Sequence, residues 1–361
     1  MAIGGSRIRV DTGPLKNPAN FAQTIDIVPL FGGDGGARGA AVRGLGRALQ
    51  EDGVFVAPRL PEGAQMERRA ASLLAFFDLS EADKLRLATR RVRADSRRSY
   101  RGYVSTLKQG WAYNEFFDIG PERALPPPAI EAAQIFAETN IWPARPPFPR
   151  WRAEMLAYHG AMDSAGAAIL ATAGEFLGLS ESALAPLFAG GGSTLRLLNY
   201  PRKPGGAVIT EEMPHPDGAR LVTGRHVDAC ALTLLWQRQA GLQAQTPDGR
   251  WLDIACRPGA ISVHLGSVME FLTAGHWRAT PHRVLDNGMA RGAIGYFHEP
   301  NLDAELALQI SPKIAPPPEQ SRQTARLTYG AHLLQRFSRY GGLEHLRARA
   351  CQVRLRSPDT L

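Results

Sequence analysis

The sequence predicts a mainly β fold, a sandwich or barrel of short strands with helices flanking it along the chain. Three features predict it. Between Ser193 and Phe297 short apolar runs alternate with turns at the spacing of sandwich and barrel strands. A stretch beginning at Arg150 carries Trp151, Met155, Tyr158, Met162, Ile169, Ala173 and Phe176 at three-, four- or seven-residue steps, the period of one helix face. Leu327 to Tyr340 reads as a closing helix.

In chain order, Ile25-Asp26-Ile27-Val28-Pro29-Leu30 reads as a short strand, followed by a glycine cluster (Gly32, Gly33, Gly35, Gly36, Gly39) and a helical stretch through Leu49. Strand, glycines and helix resemble a phosphate loop, but neither G-x-G-x-x-G nor G-x-x-x-x-G-K-[ST] is present, so a solvent loop is expected. Val54-Phe55-Val56 is a second strand. Met66 to Thr89 is helical, with Leu73, Leu74, Phe76 and Phe77 leading into Ser80-Glu81-Ala82-Asp83, a capping-box-like restart. Proline clusters at 126–128, 143–149 and 316–318 mark loops or boundaries, dividing the chain into an N-terminal α/β region (1–125), a linker and long buttressing helix (126–192), a β region (193–310) and a C-terminal helical segment (311–361). Strands in the β region are expected at Leu195 to Tyr200, Ala231 to Trp236, Leu242 to Thr246, Ala260 to His264 and Ala293 to Phe297, with a hairpin at Pro247-Asp248-Gly249.

The 361 residues are 44% hydrophobic and 21% charged, enough for a sizeable core and unlike disordered, collagenous or disulfide-rich chains. No run of 18 uncharged apolar residues occurs, and Met1 to Arg7 has no apolar signal segment, so a soluble cytoplasmic protein without a membrane partner is expected. Cys230, Cys256 and Cys351 form no C-x-x-C and read as reduced thiols. The charge of +8 comes from 42 basic and 34 acidic residues, but the arginines are scattered and make no block, which argues against nucleic acid. A small molecule is the expected partner; the oligomeric state stays open.

Chemistry enters at His226-Val227-Asp228. On a strand, residues i and i+2 share a face, so one imidazole and one carboxylate can reach a common ion. Two histidines and one carboxylate leave three coordination positions open, as in mononuclear non-haem Fe(II) oxygenases. H-x-D by itself is equally consistent with a surface pair. Downstream candidates for the third ligand are His264, His276, His282 and His298. His282 is favoured because Thr280-Pro281-His282-Arg283-Val284 enters a new strand and Arg291 follows nine residues later, where a guanidinium can clamp a dicarboxylate bidentately.

With His226-x-Asp228, then His282, Arg291 and Tyr296-Phe297-His298-Glu299-Pro300-Asn301, the sequence resembles the Fe(II)/2-oxoglutarate-dependent dioxygenases of the isopenicillin N synthase-like family. Ile25 to Pro58, Arg101-Gly102-Tyr103-Val104, Glu115 to Gly120 and Leu195 to Pro201 extend the resemblance along the chain. The Tyr296 to Asn301 run and Tyr329-Gly330-Ala331-His332 are most similar to bacterial ethylene-forming enzyme-like members. The resemblance implies a double-stranded β-helix, or jelly roll, with an α/β N-terminal part and 193–310 as catalytic core. It implies Fe(II) on His226, Asp228 and His282, and 2-oxoglutarate near Arg291, Asn199 and Phe297. With O2 as the other co-substrate, it implies release of succinate and CO2 and hydroxylation of a substrate. Tyr103, Lys108 and Arg339 are the expected substrate contacts, and two cations there imply a small carboxylate-bearing substrate. Lys108-Gln109 replaces the acidic pair with which the ethylene-forming enzyme meets arginine, which argues against arginine as substrate. Alternatives are an oxidase of the isopenicillin N synthase type that uses no 2-oxoglutarate, ethylene-forming-like fragmentation of 2-oxoglutarate, and a catalytically silent jelly-roll binding protein. Two departures stand out. The family's R-x-S reads Arg291-Gly292-Ala293, one hydrogen bond fewer and roughly 1 kcal/mol; its Gly-Asp reads Gly266-Ser267.

Overall fold

In the computed structural model of the chain, which describes residues 20–32, 35–107, 112–202, 217–307 and 327–337, the apolar runs become antiparallel strands. The N-terminal part supplies α1 (Gly35–Glu51), β1 (Val54–Ala57), α2 (Gly63–Leu73), α3 (Glu81–Arg86), β2 (Gly102–Ser105) and β3 (Glu115–Ile119). Helices α4 (Trp151–Leu177) and α5 (Glu181–Phe188) follow. Next come β4 (Thr194–Tyr200), β5 (Leu221–His226), β6 (Leu232–Gln237), β7 (Leu242–Gln245), β8 (Trp251–Asp253), β9 (Ile261–Leu265), α6 (Ser267–Leu272), β10 (His282–Leu285) and β11 (Arg291–His298). A small ribbon, β12 (Glu305–Leu306) with β13 (Leu327–Thr328), leads into α7 (Tyr329–Phe337).

The strands form two sheets, ordered β1-β9-β6-β11-β4-β3-β2 and β5-β10-β7-β8. Strands β4 to β11 divide four and four between them, the arrangement of a double-stranded β-helix. The N-terminal region extends this core, since β1, β2 and β3 lengthen the larger sheet at both edges.

Strand alternation sends successive side chains to two different cores. Leu195 and Leu197 of β4, Leu232, Leu234 and Trp236 of β6, and Ile294 and Tyr296 of β11 pack against the helices. Leu198, Tyr200, Leu235 and Ala293 point the other way and meet Leu242, Ala244 and Val284 of the smaller sheet. A sheet covered on both faces needs apolar residues on both, which is why these strands read as continuous runs. Each fully buried aliphatic side chain contributes about 1.5–3 kcal/mol. The stripe on α4 lies on the helix side, where Trp151 is fully buried and its indole N–H donates to the Leu73 carbonyl at 3.1 Å.

Three expectations change. Residues 25–30 do not form a strand: Val28–Phe31 is a 3-10 turn with proline in its first positions, where the missing N–H costs nothing. Extended pairing lies upstream instead, as isolated bridges of Phe21 with Asp253 and Thr24 with Val56. The single helix expected over 66–89 is α2, a 3-10 segment and α3, the last capped by Ser80 Oγ accepting from the Asp83 N–H at 3.1 Å. The closing helix starts at Tyr329, after β13, two residues later than the pattern suggested. Among the described residues no helix is long and apolar enough to cross a membrane.

Gly266 joins β9 to α6 beneath the β5–β6 loop, and a Cβ there would lie 2.0 Å from the Cys230 carbonyl oxygen. Gly266→Ala is expected to cost about 1–3 kcal/mol, read as a lower urea midpoint. Gly160→Ala on the exposed face of α4, with nothing within 4 Å of the new methyl, should instead stabilise by about 0.5–1 kcal/mol.

Candidate metal centre

His226 closes β5 and lies opposite His282, which opens β10, so the strand register sets the two imidazoles side by side with ring centroids 4.2 Å apart. Asp228 is not on a strand. The chain leaves β5 at His226, and the loop returns the carboxylate so that Oδ1 lies 3.9 Å from His226 Nε2 and Oδ2 3.6 Å from His282 Nε2. The same-face spacing expected of a strand is therefore produced by a loop. One ligand atom from each of the three falls within 4.8 Å of the others, and among the described residues this is the one such group.

The distal ring nitrogens are tied to backbone. His226 Nδ1 lies 2.8 Å from the Gly224 carbonyl oxygen, and His282 Nδ1 3.1 Å from that of Thr280. A carbonyl only accepts, so each Nδ1 carries the proton and each Nε2 keeps its lone pair for the centre. Burial, reinforced by His282, pushes the His226 pKa down to about 4, which leaves it neutral and able to ligate at pH 7. Burial works against an ionised Asp228, but His282, His226 and the Thr233 hydroxyl, donating at 2.5 Å, outweigh it and hold its pKa below the usual range. Two imidazole nitrogens and one carboxylate on one side of a point suit a divalent first-row ion with open positions.

The remaining candidates stand apart. His264 is buried 5.3 Å from the His282 ring, but its Nε2 engages Ser262 Oγ at 2.9 Å. His298 lies on the helix side of β11, stacked on Phe188 at 4.8 Å, and His276 sits in the turn after α6.

A cavity of about 130 Å³ opens from the triad between the sheets, and Arg291 and Phe297 line it. Arg291 is fixed by Nη2 donating to Gln237 Oε1 at 3.0 Å and Nε to the Gln239 carbonyl at 3.2 Å. Its Nη1 is buried without a partner, and no carboxylate pairs with it among the described residues. Burial lowers its pKa, the usual consequence of an uncompensated cation.

Two expected contacts do not join the cavity. Asn199 donates to Glu115 Oε1 at 2.8 Å, and Tyr103 donates to Glu115 Oε2 at 2.5 Å beside Lys84. Alternation explains both, because Leu198 and Tyr200 turn inward around Asn199, and Phe116 turns inward where Tyr103 turns outward. Lys108 and Arg339 lie outside the described residues. The lining includes residues that the motifs missed: Arg91, Tyr100, Arg196, Glu299, Arg336 and Phe337. Arg336 precedes Arg339 by three residues, so helical spacing could have found it.

Residues 195–300 match the 2OG-Fe(II) oxygenase superfamily. This segment is a 2OG-Fe(II) oxygenase superfamily domain. The protein is an oxidoreductase, and the chemistry of the superfamily runs on Fe(II), 2-oxoglutarate and O2. A 2-oxoglutarate-Fe(II) type oxidoreductase of Aspergillus fumigatus is 28% identical over 287 residues, covering 77% of this chain and 82% of that protein. Isopenicillin N synthase of Streptomyces clavuligerus is 26% identical over 328 residues, covering 89% and 95%. A full-length Neurospora crassa protein solved in complex with alpha-KG and 5-formyluracil shares the fold with a TM-score of 0.71 at 21% identity, over 90% of this chain and 98% of that one. These matches do not bear on the expected nearness to ethylene-forming enzymes. The site suits the superfamily's cofactors: three convergent donor atoms for a metal, and a buried guanidinium with an unused N–H for a carboxylate.

His282→Ala is expected to abolish stoichiometric Fe(II) binding in anaerobic dialysis with metal analysis, whereas His264→Ala and His298→Ala should keep it. Retention by His282→Ala would overturn the ligand set.

Proposed function

We propose that this protein is an Fe(II)- and 2-oxoglutarate-dependent dioxygenase that hydroxylates a small carboxylate-bearing substrate, with His226, Asp228 and His282 holding the metal. The observation that carries the reading is Arg291: a buried cation with a free N–H, on the cavity that holds the triad, without a carboxylate partner among the described residues. Such a cation is costly unless a ligand anion completes it. The bound iron and 2-oxoglutarate supply the oxidising chemistry. The chain's own residues bind and orient: Gln237 and Gln239 aim the Arg291 fork at the far carboxylate of the co-substrate, and Tyr200 flanks the guanidinium at 4.9 Å. Ala293, buried two residues on, contributes a methyl where the family's serine contributes a hydroxyl.

The substrate class follows from the rest of the lining. Arg91 and Arg336 contribute positive charge, and Tyr100, Phe116, Phe297 and Phe337 an aromatic wall. Glu299 has both oxygens engaged within the protein, accepting from Tyr329 at 2.6 Å and Thr194 at 2.8 Å, while burial outweighs these bonds and raises its pKa. An anionic group on a partly apolar body suits this surface. Cys230 and Cys256 are free thiols, which supports a reducing cytoplasmic setting, and the enclosed cavity supports a small molecule over nucleic acid or membrane.

The isopenicillin N synthase relatives favour a second reading, an oxidase in which Arg291 grips the substrate itself. Succinate formation dependent on O2 and Fe(II), measured across amino and hydroxy acids, separates the two. Arg291→Ala should raise the 2-oxoglutarate concentration for half-maximal rate by orders of magnitude, from a loss of about 3–5 kcal/mol, and Ala293→Ser should partly rescue an Arg291→Lys variant. Turnover without 2-oxoglutarate would establish the oxidase, and arginine as best stimulant would overturn the anionic-substrate reading.

A further inference from the structure

Two sequence features remain unused by this function: Ser267, which replaces the family's aspartate, and the Tyr329-Gly330-Ala331-His332 run. In the structure they meet at the metal-ligand loop. Between β5 and β6 the chain from Val227 to Ala231 lies outside the strands, and apart from the Ala231 N–H, which donates to the His298 carbonyl at 3.0 Å, its backbone is met by α6, α7 and the turn between β9 and α6. Arg336 Nη2 donates to the Val227 carbonyl oxygen at 2.8 Å. The Ser267 N–H donates to that of Asp228 at 2.9 Å, and the His332 ring meets the Ala229 backbone. Val268 and Gly266 donate to the carbonyls of Cys230 at 3.2 Å and Ala231 at 2.8 Å. Ser267 Oγ then hydrogen-bonds His332 Nε2 at 2.9 Å, so the two helices hold each other as well as the loop. His332 is itself stacked on Tyr329, whose hydroxyl is anchored on Glu299.

We infer that α7 is a latch on the metal-ligand loop, in which Ser267, His332 and Arg336 are positioning residues that set where Asp228 stands relative to His226 and His282. Without the latch the loop keeps the Thr233 hydrogen bond to the carboxylate and the N–H groups of Gly266, Ser267 and Val268 on its carbonyls, but loses Arg336 from the Val227 carbonyl and, through Ser267 Oγ, the brace that His332 places on α6. A ligand on a loop occupies the right place only as often as the loop does, so metal affinity falls with the latch, while the histidines remain set by strand register. Serine rather than aspartate at position 267 fits the arrangement, because a hydroxyl bonds a neutral imidazole without placing a second carboxylate beside Asp228.

The inference rests on the triad as the metal site, and its test separates the two. Co(II) serves as a spectroscopic probe, titrated into the metal-free full chain, with Kd and the d–d absorption bands as readouts and the thermal midpoint of the metal-free protein recorded beside them. His332→Phe, which keeps the ring on Tyr329, and Arg336→Met should each weaken Co(II) binding about 10–100-fold and alter the band pattern. Ser267→Ala should weaken it in the same direction, Ser267→Thr should restore it, and Ser267→Ala with His332→Phe should be no worse than the poorer single variant. Should a helix variant fail to fold, the Ser267→Ala and Ser267→Thr pair decides. Native Kd and spectrum in the folded variants overturn the latch even if the thermal midpoint falls. Absence of Co(II) binding by the native chain, or binding unaffected by His282→Ala, overturns the triad reading, and the latch with it.

Discussion

Pairing between the end of β5 and the start of β10 is the contact on which the site depends, because it sets His226 beside His282 through backbone register alone. Two imidazoles in that position could both ionise only at a large electrostatic cost, and burial depresses the His226 pKa, so His226 stays neutral. With the retained Asp228 carboxylate, the two ring nitrogens make the centre suited to a cation. The strands supply rigidity for the nitrogens, and the loop that begins where β5 ends supplies the negative charge.

The jelly roll was legible because its larger sheet is buried on both faces and writes itself as apolar runs. Strand β5 was not, since its six residues end in Gly224, Arg225 and His226 and carry little hydrophobic signal. The convergence of His226, Asp228 and His282 was also legible, though not its cause: spacing suggested one strand face where the chain uses a strand end and a loop. Asn199 and Tyr103 show a further limit. A motif locates a segment, but a one-residue difference in phase decides which face a side chain takes, and that phase is fixed by pairing with distant strands. Tyr200, adjacent to Asn199, is the residue that reaches the cavity. Residues 25–30 misled in a more local way, where Pro29 converts apolar composition into a turn.

The cavity's arginines divide by what balances them. Arg196 meets Asp118 through two hydrogen bonds of 2.7 and 2.8 Å and lies over the Phe116 ring at 4.0 Å, so its charge is spent within the protein. Arg291 has amide and carbonyl oxygens for partners but no anion among the described residues. This difference, invisible in a charge of +8, distinguishes an arginine that holds a wall together from one arranged to receive a ligand's anion.

Arg336 reaches back across 109 residues of sequence to the Val227 carbonyl. His282, the last of the three side chains to be made, precedes the end of α7 at Phe337 by 55 residues, so at about 5–20 residues per second of translation about 3–11 s pass in which both histidines and the aspartate have been synthesised but α7 has not. On the latch reading, the nascent chain in that interval carries the three side chains without the helix that orders their loop, and a transition metal meeting it would encounter an adaptable site whose preference follows intrinsic affinity more than imposed geometry. Selectivity for a metal would then be acquired late in the making of this chain, after the proposed donor atoms are already in place.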